Sequence, residues 1–220
     1  MTRKAADEII SKLEKIYPDA TCALEHENDA FRLFVMARLS AQCTDARVNI
    51  VAKELFKRLP DAKAMAAAPI ELIEELIRPC GLYKTKAKNI KDSSVIITEK
   101  YDGEIPSDMD ELLALPGVGR KIANLIRGDL FGLPAVVTDT HCIRIAGRLG
   151  FYDEELRDPY KIEMILKKII PDEKQSDFCH RIVMFGREFC TARSPKCDIC
   201  PLAEMCRHQK NTKKKGAEQI

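Results

Sequence analysis

The sequence predicts an all-α fold, and two observations carry that prediction. Apolar residues recur at helical spacing along nearly the whole chain, and period-two alternation is close to absent. Ile9, Leu13 and Ile16 share one helical face near the N-terminus, and Phe31, Phe34, Val35 and Leu39 share the next. Leu112 and Leu113 precede a break at LPGVG (115–119), and Ile122, Leu125 and Ile126 resume the pattern after it. Ile143, Ala146 and Leu149 mark another helix, and Ile162, Ile165, Leu166 and Ile169 one more. Asn28, Thr44, Ser107 and Asp139 stand where N-caps stand; Gly81, Gly103, Gly117, Gly132 and Gly150 stand where helices stop. The best strand candidate, AVVTD (135–139), is too short to anchor a sheet. About ten helices joined by short loops are expected, with a polar, basic tail at 211–220 that frays. The softest joints are GLPAV (132–136) and the loop from Pro18 to Cys22.

Composition narrows the class. The 220 residues are 45% hydrophobic and 32% charged, which is globular rather than disordered. Lys and Arg total 36 against 34 Asp and Glu, so the net charge of +2 argues against a wholly basic nucleic-acid binder but leaves local patches open. No apolar run approaches the length of about 18 residues that a membrane span needs. The opening MTRKAADEII has no apolar core segment, so no secretory signal is expected. Nine cysteines are then unexpected as disulfides, and a cysteine cluster points to metal or catalysis.

Four of the nine form such a cluster. Cys190, Cys197, Cys200 and Cys206 read as C-x6-C-x2-C-x5-C, with Pro195 and Pro201 stiffening the approach. Four thiolates close a tetrahedral zinc site or hold a [4Fe–4S] cube, and spacing alone does not separate the two. The competing interpretation is a set of buried free thiols. It suits Cys22, Cys43, Cys80, Cys142 and Cys179, which are scattered at apolar helical positions, far better than it suits four thiols in one short loop.

The break at LPGVGRK (115–121) carries a second site. Pro116 cannot continue a helix, and Gly117 and Gly119 allow a tight reversal with unshielded backbone N–H groups. Those donors and the following helix N-terminus suit a phosphate, although an ordinary αα turn also favours Gly and Pro. Arg120 and Lys121 crowd a positive helix end where stability alone would place acids. An unperturbed lysine has a pKa of about 10.4, so roughly one molecule in 2,500 is the neutral amine at pH 7. A dry cleft, the helix end and Arg120 would each favour that amine as a nucleophile. A lysine that stays protonated and binds phosphate is the alternative. Asp139, just before the helix of Ile143, Ala146 and Leu149, reads first as an N-cap, ionised and fixed in direction.

Taken together, LSAQCTD (39–45), GLYKTKAKNI (81–90), LPGVGRKIAN (115–124), FGLPAVVTDTH (131–141) and the cysteine loop resemble the endonuclease III family of helix–hairpin–helix/Gly-Pro-Asp DNA glycosylases. The resemblance implies two all-α domains with a DNA-binding cleft. One is a six-helix domain at 23–132 with the helix–hairpin–helix at 108–131; the other joins 1–22 to 133–220 and carries the cluster loop at 190–206. It implies Lys121 and Asp139 as catalytic residues and Cys190, Cys197, Cys200 and Cys206 as ligands of a [4Fe–4S] cluster rather than zinc. DNA contacts would come from Gln42, Leu82, Gly117, Val118, Gly119, Arg120 and His141, with Gln42 and Leu82 filling the space left by a flipped nucleotide.

The expected activity is that of a bifunctional glycosylase and AP lyase, acting inside the cell as a monomer on duplex DNA with damaged pyrimidines or abasic sites. Lys84, Lys86, Lys88 and Lys91, with the basic stretch at 191–220, are expected to supply phosphate contacts. Asp129 and Cys43 depart from the family pattern and leave substrate preference open. Two other readings compete: a monofunctional, adenine-removing relative, which Lys121 disfavours, and a non-catalytic hairpin protein with structural zinc.

Overall fold

The structure, a computed structural model, describes residues 1–217. Twelve α-helices and four short 3-10 turns make up the described residues, with no strand among them. In order they are α1 (Arg3–Ile16), α2 (Ala30–Leu39), α3 (Asp45–Arg58), α4 (Ala62–Ala67), α5 (Ile70–Ile77), α6 (Tyr83–Lys100), α7 (Met109–Leu113), α8 (Arg120–Phe131), α9 (Thr140–Leu149), α10 (Pro159–Ile169), α11 (Gln175–Glu188) and α12 (Arg207–Ala217). The chain divides into two compact units. One is continuous, Cys22–Gly132, and the other joins Met1–Thr21 to the chain from Leu133 onward.

The continuous unit holds α2 to α8 around Leu33, Phe34, Leu39, Val48, Leu55, Ile73, Ile77, Ile90, Leu112 and Ile126, all fully buried. Its longest helix, α6, packs on α2, α4 and α5, while α2 and α7 pack on α8. The split unit packs α1 and α9 on α11, and α12 on α9. Gly186 explains the close α9–α11 approach, since a Cβ there would lie 2.7 Å from Ile145 Cδ1 and 2.3 Å from His141 Nδ1. The hydroxyl of Tyr17, just past α1, donates to Glu188 at 2.7 Å, and Arg181 Nε donates to the Tyr17 carbonyl at 3.2 Å.

Two local expectations shift, those for the caps and the tail, and that for AVVTD holds. The caps before α2 and α7 are Asp29 and Asp108, each one residue beyond the expected Asn28 and Ser107. Asn28 lies in the left-handed region at φ 58°, whereas Asp29 is extended and accepts from Arg32 N–H at 2.9 Å. Asp108 accepts from both Asp110 and Glu111 N–H groups, at 2.9 and 3.1 Å. The AVVTD segment is buried over Ala135, Val136, Val137 and Thr138 but pairs with no strand, and Val137 N–H donates to Cys179 Sγ instead. The tail expected to fray continues as α12 through Ala217, anchored where Arg207 packs over Gly150; residues 218–220 lie outside the described residues.

Candidate active site and metal centre

The hairpin is assembled almost wholly from its own residues. Leu115 N–H donates to Leu112 O at 3.2 Å, and Val118 N–H to Leu115 O at 3.0 Å. Leu115 and Val118 are buried, so the turn is pinned to the core from beneath. Gly117 sits at φ 77°, where an L-residue pays about 1–2 kcal/mol. A Cβ there would also lie 2.6 Å from Asn89 Nδ2 and 2.8 Å from Arg38 Nε, displacing both side chains. Gly119 differs: its backbone is extended and a Cβ would meet nothing within 4 Å. What Gly119 contributes is an N-cap without a side chain, so α8 begins with no side-chain cap and no acid in its first turn. Arg120 and Lys121 occupy that turn, Lys121 exposed and Arg120 half-buried. An uncapped helix end flanked by two cations has the charge and the free N–H groups that suit an anion.

One stripe of α6 supports this surface. Lys86, Asn89 and Ser93, spaced three and four apart, lie on one helical face. Asn89 abuts Gly117, and Ser93 Oγ donates to Pro116 O at 3.1 Å. Lys86 is 1% exposed, and its ammonium donates to the carbonyls of Leu39 (2.8 Å), Ala41 (2.7 Å) and Cys80 (2.9 Å). Burial pushes its pKa down, opposed by the nearby Cys80 and Cys43 thiols. Lys86 is therefore no phosphate ligand. Lys91 is half-buried and ties the Ala66 and Ala68 carbonyls at the end of α4. Of the expected lysine cluster, Lys84 and Lys88 remain on the surface, Lys88 paired with Asp92 at 2.6 Å.

Gln42 and Leu82 share an unusual conformation. Both are exposed, Leu82 to 58%, and both lie in the left-handed region, at φ 56° and 48°. Neither is a residue type that visits this region readily. An exposed leucine held there costs stability and fits a functional position. Of the two departures from the family pattern, Cys43 is half-buried and hydrogen-bonds with the Cys80 thiol. Asp129 lies toward the far end of α8 from Lys121. It pairs with Cys22, whose thiol burial pushes up to about 12 with help from that carboxylate.

In the split unit, Asp139 is the N-cap of α9 and accepts from Cys142 N–H at 2.7 Å through Oδ1. That fixes the carboxylate and leaves Oδ2 without a part in the cap bond. His141 is half-buried, with Nδ1 3.2 Å from Arg144 and Gly186 of α11 close beside it.

The cysteine loop is stitched to α9 from a distance in sequence. Arg144 donates twice to Cys190 O, at 3.2 and 3.0 Å. Arg148 donates to Thr191 O at 2.8 Å, Ala192 O at 3.0 Å and Cys190 Sγ at 3.4 Å. Cys190, Cys197, Cys200 and Cys206 line one pocket with Phe185, Phe189, Leu149, Arg148 and His208. All four thiols are free. Burial pushes the Cys200 and Cys206 thiols up, while backbone N–H groups of Leu202, and of Gln209 and His208, pull them back.

The donor set fits an iron–sulfur cluster: four soft thiols, an apolar wall from Phe185 and Phe189, and N–H and guanidinium donors aimed at sulfur. Among the described residues no three His, Cys, Asp or Glu side chains gather tightly enough for a single metal ion. Arg144, Arg148, Phe185 and Phe189 were not singled out from sequence; two arginines four apart on a short helix were the available signal.

The helical layout and hairpin define the class. Residues 35–172 match the family model of the HhH-GPD superfamily of base excision DNA repair proteins, and 190–206 match the iron-sulfur binding domain of endonuclease III. Endonuclease III of Synechocystis sp. is 46% identical over 93% of this chain and 92% of its own length. That of Bacillus subtilis is 44% identical over 94% of each. A solved structure of a trapped endonuclease III–DNA covalent intermediate superposes with a TM-score of 0.90 at 43% identity, covering 97% of this chain and 99% of that one. The chain belongs to the endonuclease III family. It is a bifunctional DNA glycosylase and AP lyase of base excision repair, and it carries a [4Fe–4S] cluster.

Proposed function

We propose that the chain removes oxidised pyrimidines from duplex DNA and cleaves the strand 3′ to the resulting abasic site, acting as a monomer inside the cell. Among the described residues no helix is long and apolar enough to cross a membrane. Lys121 is the nucleophile in this proposal. The single observation that carries it is an exposed amine in the first turn of a helix whose N-terminus is left uncapped by Gly119. Phosphate held at the hairpin N–H groups fixes the strand beside that amine.

The steps follow from ordinary chemistry. The neutral Lys121 amine attacks C1′, the C1′–N bond breaks, and the damaged base leaves with a proton. Loss of the ring C1′–O bond gives the protonated Schiff base, which acidifies the C2′ proton. Removing that proton expels the 3′ phosphate by β-elimination, and water then releases Lys121. Asp139, fixed in direction by the Cys142 N–H, stabilises the positive sugar and takes part in proton transfer. Gln42 and Leu82 occupy the space the flipped nucleotide vacates. Gly117, Val118, Gly119 and Arg120 grip phosphate, and His141 contacts the DNA from the other unit. The cluster, when bound by the four cysteines, ties their loop into one rigid piece.

Lys121→Gln should abolish borohydride trapping of enzyme on duplexes bearing thymine glycol or an abasic site while leaving duplex affinity within about threefold. Undiminished trapping would place the nucleophile elsewhere. Activity confined to A opposite 8-oxoguanine would move the enzyme to the adenine-removing branch.

A further inference from the structure

We propose that Lys86 is a positioning residue for base excision: its buried ammonium holds the Gln42 and Leu82 loops together in their protruding conformations. The inference rests on the reading of Gln42 and Leu82 as the residues that fill the vacated stack. Its own support is geometric.

An ammonium has three donors, and Lys86 places all three on carbonyls from two separate loops. Leu39 ends α2 and Cys80 ends the 3-10 turn Arg78–Cys80, so two carbonyl-rich chain ends meet on one cation. The Ala41 carbonyl belongs to the peptide plane that ends at the Gln42 nitrogen. Holding that oxygen restrains rotation about the left-handed φ of Gln42. Leu82 is bracketed on both sides. Lys86 Nζ takes the Cys80 carbonyl two residues before it, and Lys86 N–H takes the carbonyl of Leu82 itself at 3.0 Å. One residue thus restrains both left-handed positions, and each would relax toward ordinary geometry without such restraint.

A purely structural explanation is weaker. A buried cation whose partners are carbonyls is an expensive way to fill space, and an apolar side chain of similar length would serve a core as well or better. The partners are also not spread through the fold. They flank the two exposed residues that the reaction needs on the duplex. Lys86 shares its face of α6 with Asn89 and Ser93, which touch the hairpin, so the loops are set in register with the turn that carries Lys121.

The test separates extrusion from chemistry. Lys86→Met should slow single-turnover excision of thymine glycol from duplex DNA by about tenfold or more. Strand cleavage at an abasic site in a single-stranded oligonucleotide, where nothing need be extruded, should change by less than about twofold. The Q42A/L82A double variant should lose duplex excision to a similar extent, and adding K86M to it should cost little more, because both act through the same loops. Lys86→Arg keeps the charge but not the compact donor and should fall between; it carries the same comparison if K86M does not fold. Equal losses of K86M on both substrates, or none on the duplex, would overturn the proposal. If Q42A/L82A excises from duplex DNA at the parent rate, the underlying reading of those two residues fails instead.

Discussion

The hairpin and the cysteine loop are both short, irregular and charged, yet they are held in opposite ways. The hairpin's backbone hydrogen bonds run between residues three or four apart, from Leu112 to Ala123, with one side-chain bond added from Ser93, and its shape follows from Pro116, Gly117 and two buried side chains. The cysteine loop is held by Arg144 and Arg148, whose bonds reach 42 to 46 residues along the chain. A locally encoded turn is ready once its helices pack. A loop whose anchors and ligands are distant stays dependent on them.

That contrast predicts unequal responses. The largest effect should follow Cys200→Ser, with loss of the iron–sulfur visible absorbance and destabilisation of the split unit on the order of 5 kcal/mol or more. Limited proteolysis should then open sites beyond Leu133 while 22–132 survives; cleavage throughout both units would show that the hairpin unit is not self-sufficient. Arg148→Ala comes next at about 3 kcal/mol, since its side chain is 13% exposed and its guanidinium serves two carbonyls and a sulfur. Denaturant unfolding of the holoprotein reads this cost, and a midpoint like the parent's would remove Arg148 from the account.

Within the hairpin the effects should be smaller and should divide between its glycines. Gly117→Ala should cost about 1–2 kcal/mol through its left-handed backbone, and Gly119→Ala less than about 0.5 kcal/mol. Both should still weaken DNA binding, Gly119→Ala through crowding of the phosphate alone. Calorimetry set beside a binding titration separates the two, and identical melting losses would contradict the assignment.

The smallest effect concerns Asp108, whose carboxyl is held below the usual range by the N–H groups of Glu111 and Asp110. A depressed folded pKa gives stability that is present above the unfolded value of about 3.9 and lost as pH falls through the folded one. The gap in melting temperature between parent and Asp108→Ala should therefore be widest near neutrality and narrow below about pH 4. A gap independent of pH would mean that charge plays no part in the cap.

The same division explains what the sequence disclosed. Helices, the glycine stops at Gly132 and Gly150, the Asp139 cap and the hairpin are short-range features, and residue order carried them; α6 and α7 instead have their C-caps at Tyr101 and Ala114, ahead of Gly103 and Gly117. The errors arose where a neighbour or a distant partner decides. Asp29 and Asp108, rather than Asn28 and Ser107, are the caps because each holds the extended backbone from which its carboxylate reaches the first-turn N–H groups. Lys86 and Lys91 read as surface cations because a lysine run does not announce which face of its helix is covered. Lys86 did carry a signal, standing four residues before Ile90 and eleven before Ile97, both fully buried, in register with the apolar stripe. For Arg144 and Arg148 the partners lie so far along the chain that only the folded structure pairs them.

The split of the second unit has a consequence for its birth on the ribosome. The apolar face of α1, with Ile9, Ile10 and Leu13, is buried in the finished protein, and Tyr17 is locked to Glu188. At about 5–20 residues per second, α1 emerges roughly ten to thirty seconds before its partner α11 is made. The intervening unit, complete at Gly132, can close while α1 still waits with its apolar stripe uncovered. A helix made early is thus among the last to be sheltered, and nascent chains stalled before α11 should be the ones that chaperones hold.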